Sequence, residues 1–192
     1  MGACTRDPIG SKCNYVEVGE TAIVGQSRRN GDGTSHQTWV AGAIEVTQSG
    51  PRAKRLSGRL RLRVVGDRTP TSVRQFVCAA VEPDTRVVTD DWPGYSDLTK
   101  HGYEQDVAAG ALLLHVVFSN LKDWLAGIHH GVAPRHLQAY LNEFTFRFAH
   151  RLVPFEAFQS LLGFAVDVGS GPTYDSLYSG DWKHPHTVTR SP

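Results

Sequence analysis

Cysteines and long apolar runs are both scarce in this sequence, and each scarcity excludes a class of protein. The three cysteines, Cys4, Cys13 and Cys78, are too few and too irregularly spaced for a disulfide framework or a zinc ribbon, which needs paired C-x-x-C knuckles. We interpret Cys78 as a small buried apolar residue. No apolar run reaches the roughly 18 to 20 residues that span a bilayer, and residues 1–8 lack the apolar core of a signal peptide. The sequence therefore predicts a soluble, cytoplasmic protein with no membrane partner.

An excess of basic charge is also missing, because 20 lysines and arginines are balanced by 19 aspartates and glutamates, for a net charge of +1. Bulk charge therefore does not identify a nucleic-acid-binding protein, and any basic surface must be local. The length of 192 residues and the hydrophobic content of 40% are sufficient for one domain with a real core. We predict a disordered leader at residues 1–14, the domain at residues 15–165, and a loose C-terminal tail at residues 166–192.

Short apolar segments in the first half of the sequence predict β-strands. In the segment Arg59–Val65 apolar residues alternate strictly with arginines, so that Arg59, Arg61 and Arg63 line one face of a strand. That face has two interpretations, a solvated surface or a row that contacts phosphates. The other predicted strands are Tyr15–Val18, which ends at Gly19 and Glu20, Trp39–Val46, Arg86–Thr89 and Tyr103–Val107.

Helical periodicity marks four segments, three of them in the second half of the chain. Thr69 and Pro70 suit the N-cap and the first position of a helix that ends before Pro83. The other helices are predicted at residues 111–126, 134–151 and 155–164, and the first of these stops at Gly127. This order of elements predicts an α/β domain with a mixed sheet whose first three strands are antiparallel.

The helix at residues 111–126 carries the most distinctive polar groups. His115, Ser119 and Lys122 follow the steps i, i+4 and i+7, so an imidazole and an ammonium point the same way. Asp90 and Asp91 follow the strand Arg86–Thr89, and carboxylates at a strand end are exposed to a crevice. Carboxylates and a histidine are groups that bind divalent metal ions, and a lysine can bind a phosphate as a point charge.

Two stretches of the sequence carry motifs that resemble a known family. The first reads TDDWPGY from Thr89, and the second reads NLKDWLAGIHHGV from Asn120 and continues with HLQAYLNEFTFRF from His136. Over about residues 15 to 163 the chain resembles bacterial insertion-sequence transposases of the DDE superfamily, in their ISXO-type branch. The resemblance implies a ribonuclease H-like domain, Mg²⁺ or Mn²⁺ as cofactor, and cleavage and strand transfer of double-stranded DNA at element ends. It also implies a nucleoid-associated bacterial protein that forms a homo-oligomer on DNA.

The resemblance assigns roles to individual residues. Asp90 matches the family's second catalytic aspartate, and His115 falls at the third metal-binding position. Lys122 matches a lysine that is expected to contact the DNA end. Gly19, within Val18-Gly19-Glu20-Thr21, stands where the family has its first aspartate. With the arginine row included, the candidate DNA-binding residues are Lys122, Arg59, Arg61, Arg63 and Arg135.

The glycine at position 19 removes a ligand and a negative charge from the implied metal site. Such a loss costs about several kcal/mol of transition-state stabilisation. The nearby carboxylates are Glu17, which lies one pleat earlier on the same face of the strand, and Glu20, which lies on the opposite face. The sequence therefore predicts a catalytically impaired transposase domain, and the alternative is a non-catalytic DNA-binding or oligomerising remnant. A third interpretation, for which the spacing is loose, is a zinc site formed by His129, His130 and His136.

Overall fold

The computed structural model describes residues 7–26, 35–48, 50, 53–108, 112–129 and 132–167. Its strands are β1 (Tyr15–Gln26), β2 (Ser35–Thr47), β3 (Leu56–Val65), β4 (Arg86–Thr89) and β5 (Glu104–Val107). Its helices are α1 (Pro70–Ala80), α2 (Leu113–His129), α3 (Leu137–Ala149) and α4 (Pro154–Asp167). In this part of the chain no helix is both long enough and apolar enough to cross a membrane.

The five strands form one mixed sheet in the order β3-β2-β1-β4-β5. β1, β2 and β3 are antiparallel neighbours, whereas β4 runs parallel to β1 and β5 runs parallel to β4. In the chain α1 lies between β3 and β4. It is part of the long connection that the parallel pairing of β1 and β4 requires. The predicted α/β architecture with an antiparallel first half is confirmed, and it is consistent with a ribonuclease H-like sheet.

Helices cover both faces of the sheet. On one face α1 begins as predicted, with Thr69 Oγ1 accepting a hydrogen bond from Ser72 N at 3.3 Å. Its buried side chains pack against β1, β2 and β4. On the other face α2 and α3 form a second apolar cluster with β2 and β3, centred on Leu114, Leu121 and Leu141. The sheet is therefore buried on two sides, as a half-parallel sheet requires.

Two predicted element ends are wrong, and long-range packing explains both. β1 does not end at Gly19: Gly19 pairs with Gly42 in β2, and the pairing continues to the end of the strand. α2 does not stop at Gly127. Its last turn runs to His129, whose ring lies 4.7 Å from the ring of Trp124. A glycine weakens an element locally, but packing of the neighbouring side chains outweighs that cost.

Two further predictions fail at the surface and at the N-terminus. Cys78 is exposed on α1 and not buried, because it follows Val77 on the helix and points away from the sheet. Residues 9–14 are not a disordered leader, since Ile9 is fully buried and its amide donates to Ala80 O at 2.8 Å. A lone apolar residue between Pro8 and Gly10 creates no periodicity that could reveal this contact. The predicted tail lies outside the described residues from residue 168 onward.

Candidate functional site

Gly19 lies in β1, and Asp90 directly follows the neighbouring strand β4, at the centre of the sheet. β1 pairs in parallel with β4, with Glu17 opposite Val88. Gly19 and Asp90 each follow two residues later, so they lie at the same level, with Asp90 directly after the last residue of β4. The two positions are therefore neighbours at the β1–β4 pair.

The space above Gly19 is filled by α2. A Cβ added at Gly19 would lie 3.3 Å from Leu114 Cδ2 and 3.8 Å from Phe118 Cε2. Phe118 also covers Gly42, where an added Cβ would come within 2.8 Å of the ring. The two paired glycines therefore allow α2 to approach the sheet closely. A side chain at position 19 would meet these apolar groups.

Asp90 is half-buried, and its carboxylate is tied into the turn that follows β4. Its Oδ1 accepts a hydrogen bond from Trp92 N at 3.2 Å. Its carbonyl oxygen accepts another from Thr89 Oγ1 at 2.9 Å. An aspartate that accepts from the amide two residues further on forms an Asx turn. The direction of the Asp90 carboxylate is therefore set by the backbone of its own motif.

His115 and Lys122 are both exposed on α2. His115 lies in the first turn of the helix, directly after Leu114, which contacts the Gly19 position. Lys122 lies seven residues later on the same side, which corresponds to about 10 Å along the helix axis. Both side chains therefore belong to the exposed surface of α2, with His115 nearer to its N-terminus.

Glu17 is fully buried beneath the N-terminus of α2 and caps it. Its Oε2 accepts a hydrogen bond from Leu114 N at 2.9 Å, and its Oε1 lies 3.5 Å from Arg55 Nη1. Burial raises the pKa of the Glu17 carboxyl, although the Leu114 amide, Arg55 and His115 act in the opposite direction. The capping role was missed in the sequence because the two bonded residues are 97 positions apart.

Glu20 lies on the opposite face of β1, as strand alternation predicts. Its side chain forms an ion pair with Arg68, with 2.6 Å between Oε1 and Nε. It also accepts a hydrogen bond from the Tyr95 hydroxyl. Because both contacts lie on the α1 side of the sheet, Glu20 does not face the space above Gly19.

The arginine row of β3 lies on the face of the sheet opposite to α2 and Lys122. The leucines that alternate with these arginines pack in the α2–α3 cluster, which places the arginines on the other side. Arg59 is bound to the buried carboxylate of Glu45, with 2.7 Å between Nη2 and Oε1. Arg61 donates to backbone carbonyls, and Arg63 is exposed. The structure therefore does not bring the row and Lys122 together on one surface.

Arg135, His129 and His136 lie around the end of α2 and the short segment that follows it. Arg135 Nε donates to His136 Nε2 at 3.0 Å in a short exposed 3-10 helix. The ring of His129 packs between two aromatic rings, with centroids 4.7 and 4.6 Å away. His130 lies outside the described residues. These contacts give His129 a packing role in the last turn of α2.

The family model of the ISXO2-like transposase domain matches residues 14–149, well over half of the chain. The chain belongs to this family of insertion-sequence transposases. Membership confirms the resemblance to the DDE superfamily and indicates a role related to transposition. Neither the curated proteins nor the solved structures contain a match to the chain. Gly19, Asp90, His115 and Lys122 all lie inside the matched transposase domain, whereas α4 lies beyond it.

Transposases of the DDE superfamily generally use divalent metal ions, and the described residues of this transposase domain supply an incomplete set of ligands. Asp90 offers a carboxylate and His115 a ring nitrogen. Glu17 and Glu20 are held by the N-terminus of α2 and by Arg68. Within the described ranges, no group of three or more His, Cys, Asp or Glu side chains is arranged to hold a metal ion. These residues therefore do not fit a two-ion site, which needs about three or more oxygen-rich ligands.

Proposed function

We propose that this chain is a transposase domain that binds double-stranded DNA at the ends of a mobile element, with impaired DNA cleavage and strand transfer. Family membership supports the transposition-related role. The proposed impairment rests on Gly19, which lies level with Asp90 on the face covered by α2. Leu114 and Phe118 approach the space that a carboxylate at this position would enter.

The missing carboxylate has a direct chemical consequence. In two-ion sites the bound ions activate the attacking oxygen and stabilise the leaving oxygen of the phosphodiester. A site with one carboxylate and one neutral imidazole should bind Mg²⁺ weakly, and Mn²⁺ somewhat better because it accepts nitrogen ligands more readily. Each tenfold loss of rate corresponds to about 1.4 kcal/mol, so a loss of several kcal/mol lowers the rate by about a thousandfold or more.

DNA binding in this proposal relies on the outer surface of α2. Lys122 is exposed there and can contact a phosphate as a point charge. Such contacts hold the domain on duplex DNA but carry no sequence information. Assembly as a homo-oligomer on DNA and association with the bacterial nucleoid are further parts of the proposal, and they rest on family membership alone.

A strand-cleavage assay with a matched variant tests the proposal. Purified protein is incubated with supercoiled plasmid and either Mg²⁺ or Mn²⁺, beside an Asp90→Asn variant. We expect both proteins to bind duplex DNA in a filter or gel-shift assay and to produce no more nicked plasmid than a protein-free control. Nicking by the parent that Asp90→Asn abolishes would overturn the proposed impairment. Failure of both proteins to bind duplex DNA would overturn the DNA-binding role.

The second candidate function is a non-catalytic DNA-binding or oligomerising remnant of a transposase. The observation that favours it is the same apolar contact above Gly19, because Leu114 and Phe118 place groups that do not bind metal ions next to this position. An Mn²⁺ titration followed at the Asp90 side chain by NMR separates the two candidates. Specific broadening at Asp90 supports a residual metal site, and its absence up to millimolar Mn²⁺ supports the remnant.

A further inference from the structure

The turn that carries Asp90 is fastened to β1 by four side chains outside the candidate metal site. We call this group the Asp90 clamp, and its members are Glu20, Arg68, Trp92 and Tyr95. The Tyr95 hydroxyl donates to Glu20 Oε2, and Glu20 pairs with Arg68 at 2.6 Å. Because Glu20 directly follows Gly19, the clamp joins the Asp90 turn to β1 at the level of the candidate site.

Trp92 is enclosed within the clamp. Its indole folds back over Gly94, where an added Cβ would overlap the ring. The Tyr95 ring meets it edge-on, with 5.4 Å between centroids, and the Arg68 guanidinium lies 4.5 Å from its centroid. The Trp92 amide in turn donates to Asp90 Oδ1. The backbone group that orients the Asp90 carboxylate is therefore itself held by contacts with a neighbouring element.

The contact between Tyr95 and Glu20 is well suited to hold this turn. The Glu20 side chain is 2% exposed and Tyr95 is fully buried, so water does not compete for the hydrogen bond. Burial and the charge of Glu20 raise the pKa of Tyr95, so its hydroxyl stays protonated and remains a donor. A hydrogen bond to a buried carboxylate is stronger than one between neutral groups.

We propose that Glu20 and Tyr95 are positioning residues, which act from the α1 side of the sheet to hold the Asp90 carboxylate in its orientation. Their side chains meet on the α1 face of the sheet, opposite to the face that α2 covers. The proposal rests on the proposed function only in treating Asp90 as part of a functional site. The coupling between Tyr95 and the Asp90 turn is a separate claim and can be measured without any activity.

Hydrogen exchange at the Trp92 amide measures this coupling, because that amide is bonded to Asp90. Tyr95→Phe keeps the ring and removes the hydroxyl. Tyr103→Phe is the matched control, since Tyr103 is also buried on the α1 side and donates to Val81 O at 3.0 Å, away from the Asp90 turn. We expect Tyr95→Phe to speed Trp92 amide exchange roughly tenfold or more. Tyr103→Phe should speed it no more than it speeds the amides of β2 and β3.

Substitutions at Glu20 provide the rescue test. Glu20→Gln keeps an oxygen that accepts from Tyr95, so Trp92 exchange should stay within about threefold of the parent, whereas Glu20→Ala should match Tyr95→Phe. If Tyr95→Phe and Tyr103→Phe speed exchange of the Trp92 amide equally, the clamp is overturned, whether or not Asp90 responds to Mn²⁺. A different result is faster exchange of the Trp92 amide in Tyr95→Phe together with no response of Asp90 to Mn²⁺. It would support the clamp and contradict only the metal part of the proposed function.

Discussion

Replacing Gly19 by aspartate restores a carboxylate beside Asp90, and the structure defines what opposes the change. The Gly19 backbone is not among the positive-φ glycines, so an aspartate adopts it without strain. The obstacle is the apolar layer above it, with Leu114 Cδ2 at 3.3 Å and Phe118 Cε2 at 3.8 Å from the added Cβ. Leu114 must yield by a few tenths of an ångström to admit even that atom.

Two variants separate the steric cost from the electrostatic cost. Gly19→Ala introduces only the tight Cβ, for which we expect a loss of about 1 kcal/mol in the free energy of unfolding. Gly19→Asp adds a charge next to apolar side chains, and an uncompensated buried charge costs about 3 to 5 kcal/mol. Because the Cβ is common to both variants, we expect Gly19→Asp to be about 3 to 5 kcal/mol less stable than Gly19→Ala at neutral pH without metal.

Manganese should return part of the stability that Gly19→Asp loses. An ion bound between the introduced carboxylate and Asp90 stabilises the folded state by about 2.7 kcal/mol at a concentration 100 times its Kd. Gly19→Ala should not respond. Leu114→Ala in the Gly19→Asp background makes room for the carboxylate, so the two changes together should cost at least about 1 kcal/mol less than the sum of the single changes.

The assay is urea unfolding followed by tryptophan fluorescence, with and without MnCl₂, on the parent, the three single variants and the double variant. Circular dichroism verifies that each variant is folded before unfolding. Equal stabilities of Gly19→Asp and Gly19→Ala, together with no effect of Mn²⁺ on either, would refute the placement of residue 19 beneath α2 and beside Asp90.

Two further predictions concern Glu17 and Lys122. Glu17→Ala leaves the Leu114 amide without its acceptor and should cost about 1 to 2 kcal/mol, whereas Glu17→Gln keeps an acceptor and should cost less. Because burial raises the pKa of Glu17, its contribution to stability is present below the ordinary glutamate pKa and is lost as pH rises through the raised value. The free energy of unfolding measured with urea should therefore decline across that pH range, and Glu17→Gln should flatten the decline. An equally steep decline in Glu17→Gln would contradict the role assigned to Glu17. Lys122→Ala should make the fall of log affinity for duplex DNA with log salt shallower by about 0.9. Arg63→Ala, on the opposite face of the sheet, is the matched control and should leave the slope unchanged; an equal effect of both would contradict binding through the α2 surface.

Much of the architecture was predictable because its determinants lie close together in the chain. The Thr69 cap reaches only as far as Ser72, so the start of α1 is visible within four residues. Strict alternation in β3 and the helical stripe of α3 are likewise local patterns. The motif TDDWPGY also builds its own turn, in which Asp90 accepts from Trp92 two residues later.

The sequence motifs suggested candidate site residues, but local patterns do not describe what surrounds Gly19 and Asp90. The parallel register of β1 and β4 brings Gly19 and Asp90 to neighbouring positions. The contents of the space above Gly19 were not predictable. They depend on how closely α2 approaches the sheet, where Phe118 covers Gly42.

Only the tertiary structure decided the roles of the charged residues and the ends of two elements. β1 continues past Gly19 because β2 pairs with it, and α2 passes Gly127 because the ring of Trp124 packs against His129. Glu17 became a helix cap because the fold brought it to Leu114, 97 positions away. Periodicity determines which face of an element is buried, whereas the partner that covers that face is chosen by contacts between distant residues, which no local pattern encodes.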